Sequence, residues 1–444
     1  MTTSALYDIF LEHPLISTDT RKITSGSLFF ALKGDKFDAN TFAQQAIAAG
    51  AAYAVIDNPA YQTSEKCILV DDVLMTLQDL ARYHRSQLGI PVIGLTGTNG
   101  KTTTKELINA VLSQRFKTLA TQGNLNNHIG VPLTILSIDD SHEMAVIEMG
   151  ANHQKEIELL CTIAQPSHGL ITNVGKAHLE GFGGFEGVKK GKGELYNYLK
   201  ANRDILFING DDPELQQMKN ERDIEGAISY GSHYNFDFVS GAITGNSPFL
   251  SLEWQRYNST ESQQLDTQVT GAYNFYNALA AICIGAYFGL TDEEIKTGVE
   301  GYQPKNNRSQ IVQTATNTLI CDYYNANPSS MAVAIENIGK MDAGKKVLIL
   351  GDMFELGDES EEEHAAVIKK AMETDADERI FIGKDFYEAK ATMVHGPWSI
   401  DKKTAYYPTA EDAIAALKAH PIKNATVLIK GSRGMALERL VELF

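Results

Sequence analysis

Cysteine is scarce: the 444 residues hold four, Cys67, Cys161, Cys283 and Cys321, far apart and never in C-x-x-C spacing. That excludes a zinc knuckle or a redox pair and predicts reduced, buried thiols of the kind found in a cytoplasm. Positive charge is also short, with 39 Lys and Arg against 56 Asp and Glu and a net charge of −17. A chain so acidic offers no broad positive field, so no nucleic-acid partner and no anionic membrane surface is expected, and any phosphate site has to be local. No apolar run reaches membrane-spanning length, because Gly or Asn interrupts each, so no membrane insertion is expected. The stretch MTTSALYDIFLEHPLIS has neither a basic head nor an unbroken apolar core and does not read as a signal peptide.

What is present is ordinary globular composition, 43% hydrophobic and 21% charged, with 36 Gly against 12 Pro, which points to folded domains with many backbone-defined loops. No internal repeat or low-complexity tract occurs. The length exceeds what one core sustains and predicts two to four domains. Residues 1–87 carry short strand signals (SLFFAL, AYAVID, CILV) around an Ala-rich helical pattern, TFAQQAIAAGA, with polar loops STDTRK and KGDKFDANTF. The segment TLQDLARYHRSQLG has helical periodicity and a closing Gly, and reads as a link onward. Residues 88–306 alternate strand runs (PVIGLTG, EMAVIEMG, HGLITNVG, RDILFING) with helical patterns, which favours a parallel sheet covered by helices. Within them 236–270 looks antiparallel, a side sheet, and YQPKNNRSQ reads as a hinge. Residues 307–444 form a third α/β unit with strands TNTLICDYYN, KKVLILGD, ERIFIGK and ATVLIKG. The expected fold is therefore α/β in three domains: a small N-terminal module, a central P-loop ATPase-like parallel sheet with an antiparallel side sheet, and a C-terminal Rossmann-like domain.

The strongest local signal is GLTGTNGKTTTKE, residues 94–106. It misses the commonest Walker A spacing by one position, Leu95 standing where the first Gly belongs. In what remains, Gly97 and Gly100 permit a tight turn with inward N–H groups, Lys101 reaches outer phosphates and Thr102 suits Mg²⁺. The helix that follows adds its positive dipole end, so Gly97, Thr98, Asn99, Gly100, Lys101, Thr102 and Thr103 are the expected nucleotide-phosphate cradle. A second glycine-rich stretch, GFGGFEG at 181–187, fails the dinucleotide pattern because Glu186 occupies the third Gly position, and it follows a loop, so NAD or FAD is not expected.

Glu148 ends the strand AVIEM and His178 follows GLITNV. Beside a P-loop they become candidate oxygen and imidazole ligands for a second cation, useful when a γ-phosphoryl group moves. If FEGVKKGKGELYNYL is helical, Val188, Lys192, Leu195 and Leu199 share one face whereas Lys189 and Lys190 point elsewhere. A lysine withdrawn from water has its pKa pulled down and its neutral amine becomes reactive, for example towards CO₂; the carbamate would be an anionic metal ligand.

Taken in order, TDTRKITSGSLFFALKGDKFDAN, GLTGTNGKTTTKE, TQGNLNNHIGVPLTIL, AVIEMGANHQKEI, ITNVGKAHLEGFGG, GKGELY, NNRSQ, DYYNANPSSM, LGDMFELG and KGSRGMALE resemble the ATP-dependent Mur ligases of peptidoglycan synthesis over essentially the whole chain. The resemblance implies that Lys101 and Thr102 serve the ATP phosphates and a first Mg²⁺. It further implies Glu148, His178 and Lys192 as a carbamate at a second Mg²⁺, Asn274 and Asn277 at the adenine, Arg308 at the γ-phosphate and Asp322 on the ribose side. Asn325 and Asn327 would shape the same crevice. Asp19, Thr20, Arg21 and the loop from Gly34 to Asn40 would hold the UDP part, and Asn124, Asn126, Asn127 and His128 the muramoyl-peptide channel. Tyr273, Asn40 and Ala39 depart from the family's more usual His, His and Gly.

The implied partners are UDP-N-acetylmuramoyl-tripeptide and D-alanyl-D-alanine, joined through an acyl phosphate by a cytoplasmic monomer active in cell-wall precursor synthesis. The resemblance assigns 1–87 to the UDP-muramoyl substrate, 88–306 to ATP and 307–444 to the incoming dipeptide and completion of the ATP site. Alternatives are the ligase that adds the third stem-peptide residue, whose D-N-P-[RK] signature is absent here, folylpolyglutamate synthase, and a P-loop switch or transport ATPase. The acidic run GDESEEEH at 357–364 reads as a solvated helix start, and KGSRG at 430–434 as either an anion loop or a plain turn.

Overall fold

The computed structural model describes residues 1–34, 36–233, 237–305, 307–393 and 403–444. Asp35 in the Gly34–Asn40 loop, Phe236 at the head of the antiparallel segment and Asn306 in the hinge lie outside the described residues.

Three main sheets organise the chain. The first is parallel and four-stranded, in the order Ile16–Ser17, Leu28–Phe30, Tyr53–Ile56, Cys67–Leu69. Its strands are fully apolar where they enter the core, as Leu28, Phe29 and Phe30 do, because both faces are covered. A helix Thr3–Glu12 that no strand or loop signal announced packs its Leu6 and Phe10 inward. The helix Val73–Gln87 is N-capped by Asp72, which accepts from the Met75 N–H at 2.7 Å. It is not a loose link: its Leu77 and Leu80 share one apolar cluster with Val131, Ile135 and Ile157 of the next unit. Arg85, buried on that helix, donates to the carbonyls of Ala164 at 3.0 Å and Gln165 at 3.1 Å. A buried guanidinium left unbonded is costly, so these bonds fix the angle between the first two sheets.

The second sheet has nine strands. Thr118–Ala120, Met144–Glu148, Val92–Thr96, His168–Ile171, Ile205–Asn209, Ile228–Gly231 and Val239–Asn246 run parallel in that spatial order. Leu250–Arg256 and Gln263–Asp266 continue it as the antiparallel wing. Helices Lys101–Leu112, Phe275–Tyr287 and Asp292–Gly301 cover one face, and glycines set their spacing: a Cβ on Gly298 would stand 2.5 Å from Val111 Cα. The third sheet follows the order Gln310–Gln313, Thr318–Asp322, Thr426–Lys430, Lys346–Gly351, Glu378–Ile382, Thr404–Tyr407, all parallel except the first strand. All four cysteines are buried and unpaired. Among the described residues no helix is long and apolar enough to cross a membrane.

The acidic run at 357–364 is a helix start as expected, with Asp358, Glu361 and Glu362 exposed before and in the first turn of the helix Ser360–Glu373. Its last two residues are buried: Glu363 takes the Lys176 ammonium of the second unit at 2.5 Å, and His364 accepts from the Met353 N–H at 3.0 Å.

At the amino end of the interior strand His168–Ile171, His168 sits among Phe207, Tyr287 and Phe288, and burial pulls its pKa from 6.5 down to about 4. The unfolded chain therefore binds a proton that the folded one refuses. Stability from this group should be complete above pH 6.5 and lost as the pH falls towards 4, with a slope approaching one proton. In His168→Phe the melting temperature between those limits should fall less steeply than in the unaltered protein; parallel curves would refute the assignment.

Candidate active site

The phosphate loop leaves the strand Val92–Thr96 at its carboxyl end and enters the helix Lys101–Leu112 through Gly100, whose φ is +78°. Neighbouring strands hold it. Asn99 N–H donates to Asn173 Oδ1 at 3.0 Å, Asn173 Nδ2 returns a bond to Asn99 O at 3.0 Å, and Thr172 Oγ1 donates to the same carbonyl at 2.6 Å. Thr98 N–H is taken by Asn173 O at 2.9 Å. Asn173 was not among the residues singled out from the sequence; its place directly after the apolar strand run was the available signal. Lys101 Nζ folds back on Gly97 O at 2.8 Å and Thr98 O at 3.0 Å. Burial lowers its pKa to about 8, Arg308 adding to the effect and Glu148 opposing it.

Glu148, 1% exposed at the end of its strand, accepts from Thr102 Oγ1 at 2.9 Å and from Asn126 Nδ2 at 2.8 Å. Hydroxyl and carboxylate oxygens in contact are a hard donor pair of the kind Mg²⁺ takes. The helix Phe185–Asn202 buries Val188, Lys192, Leu195 and Leu199 and leaves Lys190 exposed. Lys192 Nζ has one long contact, to Ala151 O at 3.4 Å, and lies 5.3 Å from the Phe182 ring. Burying an ammonium costs several kcal/mol and a cation–π contact returns about 0.5–2 kcal/mol, so burial here favours the neutral amine. Its pKa is driven well below the ordinary lysine value by burial first and by Lys101 second. His178 is held in left-handed backbone at φ +50°, and its Nδ1 pairs with the Glu355 carboxylate of the third unit. Burial lowers the His178 pKa, with Glu355 opposing and Lys101 and Lys192 adding to the effect. Glu355 was not singled out beforehand, since nothing in LGDMFELG marks which residue crosses to the second unit.

The third unit closes the cavity. Arg308 lies 3.7 Å from the Tyr324 ring centre, between Asn307 and Ser309, both at positive φ of +59° and +51°. Ser309 ties that turn down: its N–H donates to Asp322 Oδ1 at 3.1 Å, and its hydroxyl meets Tyr273 OH at 2.6 Å. Tyr273 thus gains a hydrogen-bond partner in the turn that carries Arg308. Asp322 also accepts from Lys430 Nζ at 2.7 Å. Asn277 donates to Asn274 Oδ1 at 2.8 Å and accepts from Thr104 Oγ1 at 3.0 Å, which locks the pair onto the phosphate-loop helix. Asn327 caps the helix Pro328–Lys340 and donates to Asn99 Oδ1 at 2.9 Å.

A cavity of about 710 Å³ gathers most of the expected residues. Its walls include Thr98, Asn99, Gly100, Lys101 and Thr103; Asn124, Asn126, Asn127 and His128; Glu148 and His178; and Asn274, Asn277, Arg308, Asp322, Asn325 and Asn327. Gly97, Thr102 and Lys192 are not on its surface, though Thr102 and Lys192 touch residues that are. Asp19, Thr20, Arg21, Gly34 and Asn40 stand apart on the first unit. There Arg21 pairs with Asp19 at 2.8 Å. Asn40 is fully buried, its amide spent on Asp38 at 2.7 Å and Asp57 at 2.8 Å, so it shapes its loop from within.

A P-loop with an oxygen donor pair and a buried lysine beside it, closed over by a third α/β unit bearing an arginine, defines a nucleotide-dependent enzyme of the three-domain ligase type. Matches to known proteins narrow the class. The descriptions "Mur ligase family, catalytic domain", "Mur ligase middle domain" and "Mur ligase, glutamate ligase domain" fit residues 14–85, 95–285 and 307–433. The UDP-N-acetylmuramoyl-tripeptide–D-alanyl-D-alanine ligase of Bacillus subtilis is 37% identical over 437 residues, 96% of this chain and 92% of that protein. The crystal structure of MurF from Acinetobacter baumannii superposes with a TM-score of 0.87 at 30% identity, covering 99% of this chain and 98% of the other. MurF from Thermotoga maritima, solved in complex with ADP, gives 0.83 at 26% identity over 98% and 97%. The chain belongs to the Mur ligase family.

The phosphate loop's tolerance can be measured without substrate. A Cβ on Gly97, whose φ is +149°, would fall 2.0 Å from Thr172 Oγ1. Gly97→Ala should lower stability by about 1–3 kcal/mol, and adding Thr172→Ala should recover part of the loss; unfolding midpoints in urea provide the check.

Proposed function

We propose that the chain is an ATP-dependent ligase that joins D-alanyl-D-alanine to the terminal carboxylate of UDP-N-acetylmuramoyl-tripeptide, making a peptidoglycan precursor. The observation that carries this reading is the near-full-length likeness to a ligase of that name at 37% identity, in a chain whose phosphate loop, buried lysine and hinge arginine converge on one cavity. The ADP complex of the Thermotoga relative supports ATP as the nucleotide. Residues 1–87 hold the UDP-muramoyl end, with Asp19, Thr20, Arg21 and the loop that Asn40 shapes. Residues 88–306 hold ATP, and residues 307–444 receive the dipeptide and complete the nucleotide site. The enzyme works as a monomer, and a UDP-linked substrate and ATP suit the cytoplasm.

The chemistry asks for phosphate transfer to a carboxylate, then attack by an amine on the acyl phosphate, with phosphate leaving. Both stages gather negative charge on phosphoryl or acyl oxygens, so fixed positive charge is the main catalytic need. Lys101 unfolds from its two carbonyls to meet the outer phosphates, a nearby replacement for bonds it already makes. Arg308 arrives at the γ-phosphate on the Tyr324 ring when the third unit closes. Asn274 and Asn277 bound the adenine end, and Asp322 and Asn325 the ribose side. Asn124, Asn126, Asn127 and His128 line the peptide channel.

Two Mg²⁺ ions fit the donors present. Thr102 suits one; Glu148, His178 and Lys192 as its carbamate suit the other. Glu355 occupies His178 Nδ1 and leaves Nε2 for a cation, the way a carboxylate commonly orients a metal-binding imidazole. The ions supply charge neutralisation between phosphate oxygens. Closure of the third unit keeps water from the acyl phosphate, which would otherwise hydrolyse.

Lys101→Ala should fold normally yet lose ADP formation that depends on both co-substrates by at least about a hundredfold; turnover close to normal would remove the phosphate assignment. Lys192→Ala should lose activity and regain part of it when short carboxylic acids are added. Activity that is full without them would discard the carbamate.

A further inference from the structure

The loop Lys430–Gly434 carries two cations with different fates. Lys430, its side chain 3% exposed, is spent on Asp322 at 2.7 Å and on Asn325 O at 3.3 Å. Arg433 is exposed and opens the short turn Arg433–Met435; among the described residues no carboxylate lies within ion-pair distance of it. Its guanidinium sits 5.2 Å from the centre of the Tyr324 ring, the same ring that carries Arg308 at 3.7 Å. Tyr324 and Arg308 line the cavity, and the same ring brings Arg433 to its outside. The γ-phosphate would engage Arg308, which leaves Arg433 for a second anion.

The loop's other side says where the second anion comes from. A Cβ on Gly434 would meet Phe354 Cε2 at 2.7 Å, so this loop lies directly on Phe354. Phe354 is 44% exposed and precedes Glu355, the residue that reaches His178. The loop therefore bridges the Arg308 side of the cavity and the His178 side. An extended dipeptide spans only about 7 Å, so when its amine attacks beside the cations its carboxylate must be met at the nearby rim. Phe354 offers apolar surface there for small side chains.

We infer that Arg433 anchors the free C-terminal carboxylate of the incoming dipeptide and so selects a peptide acid over its uncharged analogues; this rests on the ligase reading above. Arg is suited to the task because its planar fork pairs with both carboxylate oxygens.

The test compares D-alanyl-D-alanine with its C-terminal amide in the full-length enzyme, assayed as unaltered protein, Arg433→Gln and Arg433→Lys. The unaltered enzyme should prefer the acid in kcat/KM by about 10- to 100-fold, the range for a charge-assisted pair. Arg433→Gln should lose most of that preference by losing the acid, through KM, while its use of the amide and its KM for ATP and for the tripeptide substrate stay within about threefold. Arg433→Lys should recover part of the preference. An Arg433→Gln enzyme that still prefers the acid in full, or one whose KM for ATP rises in place of that for the dipeptide, would overturn the inference and leave the ligase reading standing. Failure of the unaltered enzyme to ligate either compound would overturn both.

Discussion

Positive charge left without a carboxylate is the constraint around which this molecule is arranged. Elsewhere its withdrawn lysines are neutralised: Lys105 by Glu106 at 2.7 Å, Lys189 by Glu214 at 2.5 Å, Lys346 by Asp375 at 3.0 Å. At the cavity, among the described residues, Lys101 and Arg308 have no such partner. Lys101 rests on two carbonyl oxygens and Arg308 on Tyr324. Backbone carbonyls and ring faces stabilise a cation without cancelling its charge, so they give it up readily to phosphate. In a chain of net charge −17, the fold brings no carboxylate of the described residues into ion-pair contact with either group.

The same economy governs how the three sheets meet. The first two units are grafted together: one apolar cluster runs through both, and Arg85 ties the shared helix to carbonyls of the second. Besides Asn327 on Asn99 and Ser309 on Tyr273, the third unit meets the segment 175–180 through polar contacts. Lys176 N–H donates to Ser329 at 3.0 Å, Lys176 Nζ reaches Glu363, and His178 meets Glu355. Exposed or half-exposed ion pairs are each worth roughly 0–1 kcal/mol, so this contact can separate at little cost. An apolar seam there would hold the cavity shut.

Much of the site was legible because its parts are local. GTNGKTT needs only a strand before it and a helix after it, and glycine at 97 and 100 is required by positive φ and by Thr172 and Asn277 standing too close for a Cβ. The stripe of Val188, Lys192, Leu195 and Leu199 follows from helical period alone. What escaped were partners distant in sequence. Asn173, Tyr324, Glu355 and Lys430 act through residues 74, 16, 177 and 108 positions away, and no local pattern announces such pairs. The acidic run at 357–364 is the solvated helix start that was expected, but for the same reason nothing in it announced that Glu363 is buried by a neighbour from another unit. Asn40 was marked as a ligand, yet its environment turned it into a scaffold.

The sequence by itself determined the class of chemistry: an anion cradle at 97–103, three α/β segments, a hinge with an arginine, and thiols with nothing to do. These depend on period, turn residues and spacing, which act over a few residues. Only the tertiary structure decided which charges remain free, because that depends on what lies within about 4 Å in space. It alone separates Arg433 from Lys430.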